Sequence, residues 1–185
     1  MHIIPSADTT VNHNDSTHYP VEYINTLKTA GIPPHDLILK KKAVVILLRN
    51  LNISGGLCNG TRLIIEDIIN ERLIKATIAN GACKGRLVLI PKIMMYPTDE
   101  KAFGFEWSRL QFPVRLGFAL TIHKSQGQSL DKVAVWLQEG CFGHGQLYVA
   151  ASRVGSPDNI KFFVKSPEEF PDYTTHNVVY QELLE

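Results

Sequence analysis

With 185 residues, 44% of them hydrophobic and 20% charged, the chain is long enough for one ordinary domain or two small ones. It is also apolar enough to bury a core, which excludes a disordered segment. No apolar run approaches the roughly 18–20 residues of a membrane span, and the start Met1-His2-Ile3-Ile4-Pro5 has neither the basic region nor the apolar stretch of a secretory signal. The net charge of +1 conceals a partition: residues 1–36 carry −3, residues 37–112 carry +6 and residues 113–185 carry −2. A middle segment this basic suits either a phosphate backbone or a solvated lysine-rich surface.

In chain order, the first 18 residues are polar and aperiodic and read as a flexible lead or a truncation scar. Residues 19–34 read as an extended entry, a short helix around 22–30, and a Gly31-Ile32-Pro33-Pro34 turn. From Leu37 the pattern changes to short strands, expected at residues 43–49, 61–68, 73–78 and 86–90, with Gly- and Asn-rich loops between them. That spacing predicts a small β-barrel or curled sheet over residues 37–112, with Gly55-Gly56 and Asn59-Gly60 supplying positive-φ positions. After Pro113 the pattern becomes α/β. A strand-to-helix passage runs over residues 116–124, Gly127 ends it, strands are expected at 133–137 and 160–164, and a helix at 145–154. Alternating helices and apolar strands imply a parallel sheet over residues 113–165, and residues 166–185 read as a tail.

The three cysteines, Cys58, Cys83 and Cys141, are odd in number and widely spaced, which suits thiols in a reducing compartment. No paired-cysteine or paired-histidine spacing is present, so no structural zinc is expected. Asn52-Ile53-Ser54 and Asn59-Gly60-Thr61 match glycosylation acceptors but read better as turns.

Two segments carry chemistry. The stretch Leu120-Thr121-Ile122-His123-Lys124-Ser125-Gln126-Gly127-Gln128-Ser129-Leu130 gathers a cation, amides, hydroxyls and a glycine at one helix end. Such a site can donate several hydrogen bonds to phosphate oxygens. Downstream, Gly145-Gln146-Leu147-Tyr148-Val149-Ala150-Ala151-Ser152-Arg153-Val154 forms a helix pattern. Helical spacing places Gln146, Ala150 and Arg153 on one face, from which Gln146 and Arg153 are expected to project into a cleft with small Ala150 leaving room between them; Leu147, Ala151 and Val154 form another, apolar face.

In order and spacing, these two elements resemble motifs V and VI of superfamily-one helicases. The longer string from Gln111-Phe112-Pro113-Val114-Arg115-Leu116 to Arg153, with Leu47-Leu48-Arg49-Asn50-Leu51 and Gly56-Leu57-Cys58-Asn59-Gly60-Thr61-Arg62-Leu63, resembles the C-terminal part of the PIF-one family of 5′→3′ DNA helicases and its Helitron relatives. The resemblance runs from Tyr19 to about Val164. It implies an α/β fold: part of a second RecA-like lobe, returning over residues 113–165, with a small barrel like a Src-homology-three domain inserted over residues 37–112. It implies Arg153 as a catalytic arginine finger, Gln126 and Gly127 beside it at bound ATP, and Thr121, His123, Lys124 and Ser125 coupling that cleft to single-stranded DNA. Arg49, Arg62 and the Lys40-Lys41-Lys42 run would line the DNA path; the lysine run reads equally well as a solvated turn.

The resemblance further implies DNA repair, recombination or transposition as the setting, and nuclear residence with mitochondrial residence as the alternative. ATP and Mg2+ would serve the complete enzyme. No Gly-x4-Gly-Lys-Ser/Thr phosphate loop occurs in the chain, and no apolar strand ends in paired acids. The chain by itself is therefore expected to be inactive, its partner being the N-terminal helicase lobe, in cis or in trans. The rival reading is a module that binds single-stranded nucleic acid, or docks a partner, through its basic segment. Two departures from the family pattern stand out. Lys41-Lys42-Ala43-Val44 replaces a glycine and a proline, and Ser108-Arg109-Leu110-Gln111 replaces a paired arginine, which puts phosphate contacts there in doubt.

Overall fold

The computed structural model describes residues 1–12, 15–98, 103–138, 140–165, 174–175, 177–180 and 182. The chain divides into two compact units, Met1–Phe118 and Ala119–Glu185. The expected tail after residue 165 lies largely outside the described residues.

The first unit is mostly sheet. Strands β4 (Val44–Leu47), β5 (Arg62–Ile69), β6 (Leu73–Ile78) and β7 (Leu87–Pro91) form an antiparallel meander close to the expected boundaries. Strand β10 (Val114–Leu116) joins β4 on the opposite edge, giving the order β10-β4-β5-β6-β7. Among the described residues β10 and β7 do not pair, so the five strands form a sheet that no ladder closes. Residues alternate in and out: Leu63, Ile65, Ile74, Ala76, Ile78, Val88 and Ile90 are buried in one core. Asn70 and Glu71 both take positive φ, and Arg72 N–H donates to Ile69 C=O at 3.0 Å, the tight hairpin turn that matches strand twist.

The lead expected to be flexible is built into this unit. β1 (His2–Ile4) pairs with β3 (Leu37–Leu39), and Ile4, Leu37 and Leu39 enter the same core as the meander. β2 (Ala7–Thr10) pairs with β9 (Trp107–Gln111), which also pairs with β8 (Ile93–Met95). These strands escape sequence reading because their partners lie as far as 100 residues away, so pattern within the lead carries no trace of them. Likewise Val114–Leu116, expected with the α/β region, pairs with β4 because Val114 fills the core beside Phe112.

Helix α1 (Val21–Thr26) is shorter than the expected 22–30. Buried Arg109 explains where it stops. Its guanidinium takes Ile24 C=O at 3.0 Å, Asn25 C=O at 3.5 Å and Leu27 C=O at 3.4 Å, closing the helix C-terminus with a cation. The same group holds Asp8 through contacts of 2.6–3.0 Å and donates to Pro33 C=O at 3.0 Å. Arg109 thus ties β2, α1 and the Pro33 turn to β9, over a second core of Ile24, Ile32, Met95, Phe105 and Trp107. Gln111 does the same one pleat on: its amide donates to Ile4 C=O at 2.9 Å and His35 C=O at 3.0 Å and accepts from Phe112 N–H at 2.9 Å.

The second unit pairs β11 (Val133–Leu137) in parallel with β12 (Ile160–Val164), as the apolar pattern predicts. Helix α2 (Gln146–Ala151) joins them and packs Ala150 against Val135, Leu137 and Cys141.

Candidate functional site

In the second unit, residues 122–125 form a single 3-10 turn after Thr121. Ser125 is buried, its hydroxyl donating to Ile122 C=O at 2.7 Å, while Thr121, His123, Lys124, Gln126 and Gly127 are exposed. Gly127 has φ +75° and nothing within 4 Å of where a Cβ would stand, so the backbone there is open to close approach from outside. His123 lies 6.2 Å, centroid to centroid, from the ring of Phe142, itself 83% exposed.

Arg153 grips this turn. Its Nη1 donates to Ser125 C=O at 3.4 Å and Gln128 C=O at 3.2 Å, Nε to Val149 C=O at 2.7 Å, and Nη2 to the Ser152 hydroxyl at 2.7 Å. Its own carbonyl accepts from Leu130 N–H at 2.9 Å. Residues 121–127 and Arg153, 26 or more positions apart in the chain, are therefore one structural site. In this arrangement the guanidinium serves carbonyls of its own unit.

Helix α2 is turned differently from expectation. The face carrying Gln146 and Ala150 was expected to open into a cleft, but both residues are buried, and Gln146 Oε1 accepts from Phe142 N–H at 3.0 Å. Ala151, on the face expected to be apolar, is exposed. Small Ala150, expected to leave room between Gln146 and Arg153, instead packs against Val135 and Leu137.

In the first unit the cations expected on a DNA path differ in what they touch. Arg62 is held by Gly117 C=O at 3.1 Å. The Arg49 guanidinium covers the Gly31 turn, 3.5 Å from where a Cβ on Gly31 would stand. Lys41 pairs with Asp67 at 2.8 Å and Lys42 with Glu66, while exposed Lys40 has no ion pair among the described residues. The Lys42 ammonium, then the Thr77 hydroxyl, hold the Glu66 carboxyl below its usual range, and Lys41 does so for Asp67. Lys42 also adopts φ +64°, the left-handed region that glycine enters without cost.

The altered Ser108-Arg109 pair has a structural meaning that the sequence hid. Ser108 is 3% exposed and Arg109 1% exposed, so both are buried and neither is open to a phosphate in this arrangement. Asp8, Arg109 and Gln111 went unrecognised as organising residues. The only sequence signal was a charge and an amide alternating with apolar residues in a strand-like stretch.

Among the described residues no three His, Cys, Asp or Glu side chains converge as a metal site. Arg153, Gln126 and Gly127 supply a guanidinium, an amide and an open backbone position, and none of the acidic ligands that hold magnesium beside a nucleotide.

The chain thus joins a basic antiparallel unit to a following β-α-β unit, in which a polar turn is fastened to an arginine just past the helix. The family model for the 2B domain of DNA helicase Pif1 matches residues 22–68. A Campylobacter jejuni ATP-dependent DNA helicase Pif1 is 32% identical over 146 residues, covering 75% of this chain and 32% of that protein. Its Xenopus laevis counterpart is 35% identical over 130 residues, covering 70% of this chain and 20% of that protein. The crystal structure of Pif1 helicase from Candida albicans superposes with a TM-score of 0.61 at 28% identity, covering 87% of this chain and 39% of that one. The chain corresponds to the C-terminal part of a Pif1-type helicase and spans a third or less of the length of these two curated relatives.

Proposed function

We propose that this chain is the C-terminal region of an ATP-dependent 5′→3′ DNA helicase, in which the first unit tracks single-stranded DNA and the second presents Arg153 to nucleotide held on another lobe. One observation carries the reading: Arg153 and the Thr121–Gly127 turn, the two segments of helicase pattern, meet through the Ser125 and Gln128 carbonyls. Release of those carbonyls would free the guanidinium to stabilise charge on a transferring phosphoryl group, and would at the same moment loosen the turn proposed to contact DNA. Finger and DNA contact would then be coupled through the hydrogen bonds they share.

On this reading the five-stranded sheet, closed over by β1 and β3, is the inserted barrel of the Src-homology-three type. Support comes from the convergence of both sheets on one core. Residues 119–165, narrowed from the expected 113–165 because β10 pairs with β4, are then the returning part of a RecA-like lobe, whose strands β11 and β12 need further strands and a phosphate loop from the N-terminal lobe region to complete a motor. ATP and Mg2+ belong to that complete enzyme.

Binding of fluorescein-labelled oligo(dT) to the purified chain, followed by anisotropy, tests the DNA half. Log affinity should fall with log salt by about 0.7 for each phosphate neutralised. Absence of binding, or affinity indifferent to salt, would overturn it. ATP turnover by the isolated chain is expected to be absent, and turnover that Arg153→Ala abolishes would refute the claim that the chain alone is incompetent. The charge of +6 in residues 37–112 supports the second reading, a stand-alone nucleic-acid-binding or partner-docking module. Deletion of residues 119–185 leaving oligo(dT) affinity unchanged would favour it.

A further inference from the structure

Strand β7 pairs with β6 on one side, and among the described residues no ladder occupies its other side. Val88 and Ile90 point into the core, while Leu87 and Leu89 stand outward at 53% and 54% exposure. On the same outer face Thr77 lies opposite Leu87, Lys75 opposite Leu89, and half-buried Leu73 opposite Pro91. Ile69, 40% exposed, lies opposite Leu73 on β5. The result is an open strand edge beside an apolar outer strip. Charge around it is mostly positive: residues 70–92 carry Arg72, Lys75, Lys84, Arg86 and Lys92 against Glu71, and the acids further in on β5, Glu66 and Asp67, are paired with Lys42 and Lys41.

We infer that β7 is a docking edge for an extended segment of a partner protein, acidic and alternately apolar, which adds a sixth strand to the sheet. The strand edge offers backbone hydrogen bonds without regard to sequence, Leu87 and Leu89 provide contacts for every second side chain of the incoming strand, and the cationic rim selects acids between them. This goes beyond the helicase reading, which uses neither leucine. A second copy of the chain is disfavoured by its own charge. Antiparallel pairing of two β7 strands brings Arg86 of each toward the Pro91-Lys92 end of the other, and parallel pairing brings the two Arg86 residues together; like charges are adjacent either way. A nucleic acid would use the cations but gains nothing from two outward leucines on an open edge. Surface leucines at such an edge are also what protected edges omit in favour of charge.

The test uses the full chain and a synthetic peptide, acetyl-Glu-Val-Asp-Val-Thr-Val-Glu-amide, titrated while backbone amide resonances are recorded. Expected are shifts and slowed exchange confined to residues 86–91 and their β6 neighbours. An about tenfold or greater loss of affinity is expected in the doubly substituted Leu87→Ser, Leu89→Ser chain, and a similar loss when lysine replaces the peptide acids. Should the doubly substituted chain fail to fold, the shift map of the unaltered chain decides. Shifts elsewhere, or none, would overturn the inference. So would oligo(dT) displacing the peptide from β7, which makes the edge a nucleic-acid surface, or peptide-independent dimerisation abolished by the same two substitutions, which makes it a self-association edge.

Discussion

Replacing Asp8 by alanine should cost the first unit a large share of its stability. The carboxylate is 0% exposed and the Arg109 side chain 1% exposed, with contacts down to 2.6 Å between them. Removing one member of a buried pair leaves an uncompensated charge, at a cost of about 3–5 kcal/mol. Arg109 would retain the carbonyls of Ile24, Leu27 and Pro33 but lose its counter-charge, so the upper part of that range does not apply in full. Against a typical stability of about 5–15 kcal/mol and a urea dependence of roughly 1–3 kcal/mol per molar, the unfolding midpoint should fall by about 1–3 M. Equilibrium urea unfolding followed by fluorescence of Trp107, which lies 5.1 Å from the Arg109 guanidinium, reads this directly. The control is Asp36→Ala, whose carboxylate is 64% exposed and whose removal should change stability by no more than about 0.5 kcal/mol. Combining Asp8→Leu with Arg109→Met should recover part of the loss but not all of it, because the α1 carbonyls then lack their donor. A loss below about 1 kcal/mol for Asp8→Ala, or additive effects in the double substitution, would refute the account of Arg109 as the tie between lead and sheet.

Three other outcomes are expected. Arg153→Ala should destabilise the second unit by about 2 kcal/mol and speed amide exchange at Leu130 and Gln128, whereas Lys132→Ala, an exposed control, should leave exchange there unchanged. Gly56→Ala should be much more harmful than Gly60→Ala in thermal melts. Both take positive φ, but a Cβ at Gly56 would lie 2.7 Å from Cys83 Cβ, while Gly60 has nothing within 4 Å. Because Lys42 and Lys41 hold the Glu66 and Asp67 carboxyls below their usual ranges, the stability they contribute is present above the unfolded values, near 4, and is lost as the pH falls below them. Urea midpoints should therefore drop on acidification through that window, and less steeply in the Lys41→Gln, Lys42→Gln chain.

Local pattern determined a good deal here. The meander β4 to β7 was legible because each strand alternates buried and exposed residues and each neighbour follows within a few residues, so period and turn chemistry carry the information. The parallel pair β11 and β12 was legible from apolar runs separated by a helix pattern. The two helicase-like segments, together with the longer string from Gln111 to Arg153 and the stretches at residues 47–51 and 56–63, sufficed to point to the PIF-one family, since that information is wholly in residue identity and spacing.

What only the tertiary structure decided depends on partners distant in the chain. Strands β1 and β2 exist because Leu37–Leu39 and Trp107–Gln111 offer them edges, and their own residues carry no period that would announce it. Arg109 stood in the sequence only as part of a departure that put phosphate contacts in doubt; its burial against Asp8, 101 positions away, was not legible there. The lysine run was legible as charge, but its pairing with Glu66 and Asp67 was not, since the pairing depends on how a positive-φ turn aims two side chains at the strand beside it. For the same reason sequence spacing aligned Gln146, Ala150 and Arg153 along a helix, while the direction in which that helix faces was set by the close approach of Ala150 to the sheet. Residue spacing specifies which side chains share a face. Only packing specifies what that face meets.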